Sequence, residues 1–203
     1  LDVALVHPVA GGLLKTKLFG GVSRQTSPWD DLQYSFGGTL LVGGYLDFVT
    51  GPWQFRLSHV GVHFDKDLPV EDFYRALPEE TADELRVADS WSGFTSLGLV
   101  YDASPFQTQL MLSRTTNQGA SFEDTWAGYL IASYRVGDLT PFVGLSAAKS
   151  ERNPPSHPVP GYTDAYQANF DSDQKTLFAG ARWDFMPNLC LKAQVDLIRG
   201  TPD

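Results

Sequence analysis

From Leu177 to Phe185 every second residue is apolar: Leu177, Ala179, Ala181, Trp183 and Phe185 alternate with Phe178, Gly180, Arg182 and Asp184. After Pro187-Asn188 the alternation resumes, with Leu189, Leu191, Ala193, Val195 and Leu197 set against Cys190, Lys192, Gln194 and Asp196. A period of two is the signature of a strand, because successive side chains leave opposite faces. The segment therefore predicts a hairpin with one apolar and one polar face, joined by a Pro-Asn turn. The same reading predicts ten strands, at about 1–7, 13–24, 36–49, 53–65, 91–103, 106–116, 124–136, 140–149, 174–186 and 189–199.

Nearly all of these are about ten to fourteen residues long, against about five or six in most globular proteins. A tilted strand needs roughly 9–11 residues to cross a bilayer. The connections sort by parity: 8–12, 50–52, 103–105, 137–139 and 187–188 are short, and 25–35, 66–90, 117–123 and 150–173 are longer. A soluble sandwich has no reason to alternate its loops, whereas a transmembrane barrel has short periplasmic turns and long extracellular loops. The expected fold is all-β: one domain over 1–203, a transmembrane antiparallel up-and-down β-barrel. Its apolar face points to lipid and its polar face lines a lumen, since backbone groups inside a bilayer must be paired within the sheet.

The parity assigns faces. In 106–116, Phe106, Thr108, Leu110 and Leu112 face out, while Gln107, Gln109, Met111 and Ser113 face in. In 124–136, Tyr129 and Arg135 face in; in 13–24, Lys15 and Lys17 do. Gln194 joins them from the last strand. Strand 53–65 changes phase between Leu57 and Val60, and a bulge near Ser58–His59 would restore one apolar face. The lumen charges Asp47, Arg56, Asp102, Arg135, Arg182, Asp184 and Lys192 all lie near short turns and are expected to form a low band of mixed sign. Such a band can tune the passage of ions, or simply pair across strands in a wet interior. Aromatic residues flank the short turns: Phe48 and Trp53, Tyr101 and Phe106, Tyr134 and Phe142, Trp183 and Phe185. They read as an interfacial girdle.

Loop 66–90 has helical character. Pro69 suits a first turn, and Glu71 and Asp72 follow where acids favour a helix N-terminus. Phe73, Tyr74, Leu77 and Leu85 form an apolar edge. Glu71, Asp72, Glu79, Glu80, Asp83 and Glu84 make the loop an acidic mouth, favoured as a solvated cap over a constriction or a divalent-cation site. Loop 150–173 is too proline-rich at "NPPSHPVPGY" for helix or strand.

Composition agrees. The 203 residues carry a net charge of −9, which argues against a nucleic-acid partner. Charged residues make up 19%, below the usual quarter of a soluble domain. The single cysteine, Cys190, excludes an intramolecular disulfide, and no run of about eighteen apolar residues offers a transmembrane helix. The start at "LDVALVHP" reads as a strand rather than a signal peptide. Ser58, His59, His63, Asp65 and His157 are the candidates for catalysis or metal binding. Their spacing supports neither a triad nor a metal site, so His59 and His63 read as polar lumen residues near the outer rim. No enzyme activity, cofactor or metal is expected.

The segment "QKTLFAGARWDFMPNLCLKAQVDLI" resembles a hairpin near the C-terminal end of the Gram-negative porin family, and "GPWQFRLSHVGVHF", "ADELRV" and "YLIASYRVGDLTPFVGLS" resemble that family too. The resemblance covers most of 36–199. It implies an outer-membrane, water-filled channel passing small hydrophilic solutes by diffusion, surrounded by lipid and lipopolysaccharide, often as a homotrimer. Such porins are longer and end on an aromatic residue, whereas this sequence stops at "RGTPD". Strands are therefore expected to be missing at both ends. The alternative readings are a closed ten-stranded barrel, an outer-membrane barrel hydrolase, and a non-conducting structural or adhesive barrel.

Overall fold

The computed structural model describes residues 1–9, 11–29, 32–161, 163 and 173–200. In chain order its strands are β1 (Asp2–Val9), β2 (Gly12–Val22), β3 (Thr26–Trp29), β4 (Leu32–Ser35), β5 (Leu40–Thr50) and β6 (Trp53–His63). They continue with β7 (Trp91–Ala103), β8 (Phe106–Asn117), β9 (Asp124–Tyr134), β10 (Leu139–Glu151), β11 (Asp173–Met186) and β12 (Leu189–Gly200). Two short helices, α1 (Glu71–Arg75) and α2 (Glu79–Leu85), lie between β6 and β7.

Ten strands form one antiparallel meander in the order β1-β2-β5-β6-β7-β8-β9-β10-β11-β12. These are the ten that the alternation predicts. β3 and β4 form a separate hairpin inside the loop after β2, and four residues apiece give too few periods to be read from sequence. β1 and β12 each pair on one side only, so the described strands do not close into a ten-stranded barrel. The short turns need unusual backbone angles: Gly51 has φ 53° and Asn188 φ 68°, a region that Gly and Asn tolerate best.

The register turns sequence alternation into rows. Leu14, Phe48, Phe55, Leu99, Leu110, Leu130, Leu145, Leu177 and Leu197 align across nine strands on one face. Lys15, Asp47, Arg56, Gly98, Met111, Tyr129, Ser146 and Thr176 align on the other. Among the described residues nothing covers the apolar rows: Leu145 is 53% exposed and Val195 71%. Among the described residues the buried apolar side chains sit mainly in the loops, and Phe142 is the one buried in the ten-stranded sheet. Left in water, so large an apolar face would be a strong drive to associate.

The expected bulge near Ser58–His59 is absent. β6 pairs without a break from Trp53↔Thr50 to His63↔Leu40, and from Trp53↔Tyr101 to His63↔Trp91. Val60 and Val62 therefore stay on the polar face, and His59, Gly61 and His63 fall on the apolar face with Phe55 and Leu57. The change of phase has another cause. Towards the long loops the polar face becomes apolar itself, with Val60 opposite Phe94 and Phe64 packed into a loop cluster with Tyr34, Leu68 and Val87. The register does shift between Trp183 and Met186, where β11 meets its turn.

Candidate functional site

Most charged residues of the polar face fall into two groups, with Asp102 and Arg135 between them near the short turns. The first spans β2, β5 and β6. Arg56 Nη2 donates to Asp47 Oδ2 at 2.6 Å, and Gln54 Nε2 donates to Asp47 Oδ1 at 2.8 Å. Lys15 stands opposite Asp47 in the register. Both cations flank the Tyr45 ring, Arg56 at 5.0 Å and Lys15 at 5.8 Å. Lys17 pairs with Asp2 at 2.6 Å one row further on. Asp47 is buried, but the Arg56 side chain is 49% exposed, so the pair holds a cation at the surface more than it stabilises the sheet.

The second group lies on β11 and β12. Arg182 donates to Asp184 Oδ1 through Nε at 2.8 Å. Lys192 stands opposite Arg182 and over the Phe142 ring at 4.7 Å. Gln194 Nε2 donates to Asp196 Oδ1 at 2.7 Å. Between the two groups the wall is uncharged along Gln109, Met111 and Tyr129. Gln107 reaches Asp102 at 3.4 Å near the short turns, and Arg135 follows β9 in an exposed position. Sequence reading missed Tyr45, Gln54 and Asp2. Tyr45 could have been found, since it shares the parity of Asp47 and flat rings attract neighbouring cations.

At the short-turn end the apolar face carries touching rings: Trp53 and Tyr101 at 4.6 Å, Tyr101 and Phe106 at 6.0 Å, Trp183 and Phe185 at 5.4 Å. Phe142 does not belong to this girdle. Its partners are Ser133 and Gly180, which puts it on the polar face, and its ring fills the space that Gly180 leaves open.

The long loops fold together into a cap. Tyr74, Leu77, Ala82 and Leu85 of the helical loop bury against Ala120 of the next loop. Both helices pack on each other and on loops rather than on a strand, among the described residues. Two carboxylates pin this cap. Asp67 Oδ1 accepts from the Val87 and Ala88 amides at 2.8 and 2.9 Å, and Arg86 donates to its Oδ2 at 2.7 Å. Glu84 accepts from the Ser156 amide and lies 3.2 Å from His157 Nδ1, while Thr81 Oγ1 donates to the His157 carbonyl at 2.6 Å. Glu71, Asp72 and Asp83 meet Arg75 or Arg86 at 3.6 to 3.8 Å, Glu80 lies 3.7 Å from His157, and Glu79 is exposed. Of loop 150–173, residues 162 and 164–172 lie outside the described set.

Burial pushes the Asp67 carboxyl up, but hydrogen bonds from Ala88, Arg86 and Val87 outweigh it and hold it below its ordinary value. The Ser156 amide does the same for Glu84. A depressed carboxyl contributes stability in full above its unfolded pKa and loses it as pH falls through the lower folded pKa. The cap should be firm at neutral pH and loosen in acid. Hydrogen exchange corrected for intrinsic rates should show the Val87 and Ala88 amides losing protection below about pH 4. Asp67→Ala should show the same loss at neutral pH, and equal protection in wild type and variant would remove Asp67 from this role.

The residues weighed for catalysis are not brought together. Ser58 bonds Ser96 at 2.6 Å on the polar face, His59 is on the opposite face, and His157 lies on the cap. His63 shares the face of His59, against the Trp91 ring at 5.1 Å. Neither histidine is thus on the polar face, where the sequence pattern had placed them, because the bulge that would have changed their parity is missing.

No protein-family model and no curated protein matches the sequence. Solved structures do match the fold. A loop L8 deletion mutant of OmpT, an outer membrane protein of Vibrio cholerae, superposes with a TM-score of 0.57 at 11% identity, over 100% of this chain and 58% of that one. OmpT folded in vitro, in its trimer form, gives 0.58 at 13% identity, over 98% and 54%. The chain thus spans little more than half the length of these structures, and its ten-stranded meander matches part of the OmpT porin barrel.

Proposed function

We propose that this chain is the larger part of an outer-membrane channel through which small hydrophilic solutes and ions diffuse. The observation that carries the reading is the pair of aligned rows: an uncovered apolar row across nine strands, backed by a row containing Lys15, Asp47 and Arg56. A sheet with those faces is stable where lipid meets the first and water the second. Further strands complete the barrel at the open edges of β1 and β12, because unpaired edges are not tolerated in hydrocarbon. The short turns lie on the periplasmic side and the loop cap outside. Three copies assemble in a Gram-negative outer membrane, among lipid and lipopolysaccharide.

The polar face carries Lys15, Lys17, Arg56, Arg135, Arg182 and Lys192 against Asp2, Asp47, Asp102, Asp184 and Asp196, so its charges nearly cancel. The cap is acidic, and its field gathers cations at the mouth. The full-length protein in planar bilayers should give open channels whose conductance grows with salt. A modest cation preference should fade at high salt as the charges are screened. A purified, folded protein that inserts without conducting would overturn the reading.

A further inference from the structure

On the apolar face the β5–β7 sector combines glycines in two adjoining rows with a polar His–Thr pair at mid-height. On β8 to β12 the positions six residues above the short-turn end are Leu112, Gly128, Leu145, Leu177 and Val195. On β5 to β7 the same height holds Gly44, His59 and Thr95, and the next row up is Val42, Gly61 and Gly93. His59 Nδ1 is 2.9 Å from Thr95 Oγ1, and the other ring nitrogen of His59 has no hydrogen-bond partner among the described residues. The glycines leave a hollow of about 740 Å³, edged by Leu18, Leu46, Leu57 and Trp91.

Height decides what this means. His59 lies six residues beyond Trp53, and a tilted strand gains roughly 2.5 Å per residue, which places the imidazole about 15 Å up an apolar band of about 25 Å. Acyl chains can fill a hollow there but cannot match the second imidazole nitrogen, and a polar group facing hydrocarbon unpaired is costly. A protein surface can do both. Small residues let it approach closely, and its own polar groups complete the hydrogen bonds.

We infer that the β5–β7 sector is the contact face against a second copy of this chain, while β8 to β12 face lipid. The inference rests on the trimeric porin reading above and assigns a location to its subunit contact. A second copy is the occupant the observations favour, since it brings into the bilayer the same kind of banded surface, rigid and preformed, and every subunit then has its hollow filled.

The test uses the full-length protein in outer-membrane vesicles, with a photoreactive benzoyl-phenylalanine replacing Leu57 or Val42 at the hollow, or Leu177 on β11. Illumination should give adducts of doubled chain mass from Leu57 and Val42 and only lipid adducts from Leu177. Lipid adducts, adducts to an unrelated protein, or no doubled mass from the two hollow positions would overturn the inference. Native electrophoresis of the unmodified protein separates the two levels: a monomer removes the trimer reading itself, whereas an intact trimer with lipid adducts at the hollow removes only its placement. His59→Leu with Thr95→Val adds a readout without bulky labels. The pair should lower the temperature at which the trimer dissociates, and an unchanged or higher temperature counts against the inference.

Discussion

Leu145→Arg should destabilise the folded barrel by about 2–4 kcal/mol, and Gln109→Arg should change it by no more than about 0.5 kcal/mol. Leu145 lies between Leu130 and Leu177 in the long apolar row, with half its surface uncovered by protein. If that surface meets hydrocarbon, a guanidinium there is stranded near the bilayer midplane. Gln109 lies on the polar face beside Val100 and Ile131, where water can solvate a charge. Urea titration of the full-length protein in lipid vesicles measures both. Equal shifts for the two variants would mean that the faces do not differ in their surroundings.

The second large effect concerns selectivity. Asp72→Asn, Glu79→Gln and Asp83→Asn together should bring the cation-to-anion permeability ratio close to one at low salt, with little change at 1 M. These three are exposed, and among the described residues their only ion pairs are distant ones to Arg75 and Arg86, so the cap should keep its shape. Asp67 and Glu84 are left in place because they hold backbone amides. The reversal potential across a salt gradient reads the result. An unchanged potential would make loop 66–90 a solvated cap without electrostatic influence and leave selectivity to Lys15, Arg56, Arg182 and Lys192.

The ten strands were legible because most carry five or six alternations, enough for the period to stand clear of noise, and their faces followed from parity. Parity is also where the reading failed. Leu57 to Val60 breaks the pattern, and a bulge and a change of surroundings leave the same trace in sequence. The structure shows the second: Phe64 belongs to the loop core and His59 to the outer wall. Pairing was less legible than placement. Asp47 and Arg56 are nine residues apart and meet only through the β5–β6 register, and Arg114 meets Trp126 and Asp124 across β8 and β9. The helices of loop 66–90 could be read from their acids and apolar edge. Their packing on the next loop depends on contacts such as Ser121 Oγ to the Leu85 carbonyl, which no local pattern announces.

The claim on which the rest depends is that the sheet separates lipid from water. A single-cysteine scan tests it most directly: one residue at a time from Gln107 to Leu112, in the Cys190→Ser background of the full-length protein, labelled in outer-membrane vesicles by a charged maleimide. Gln107, Gln109 and Met111 should label and Thr108, Leu110 and Leu112 should resist, with the reverse pattern for quenching by lipid-borne nitroxides. Uniform labelling, or labelling of the leucines in place of the glutamines, would contradict the account.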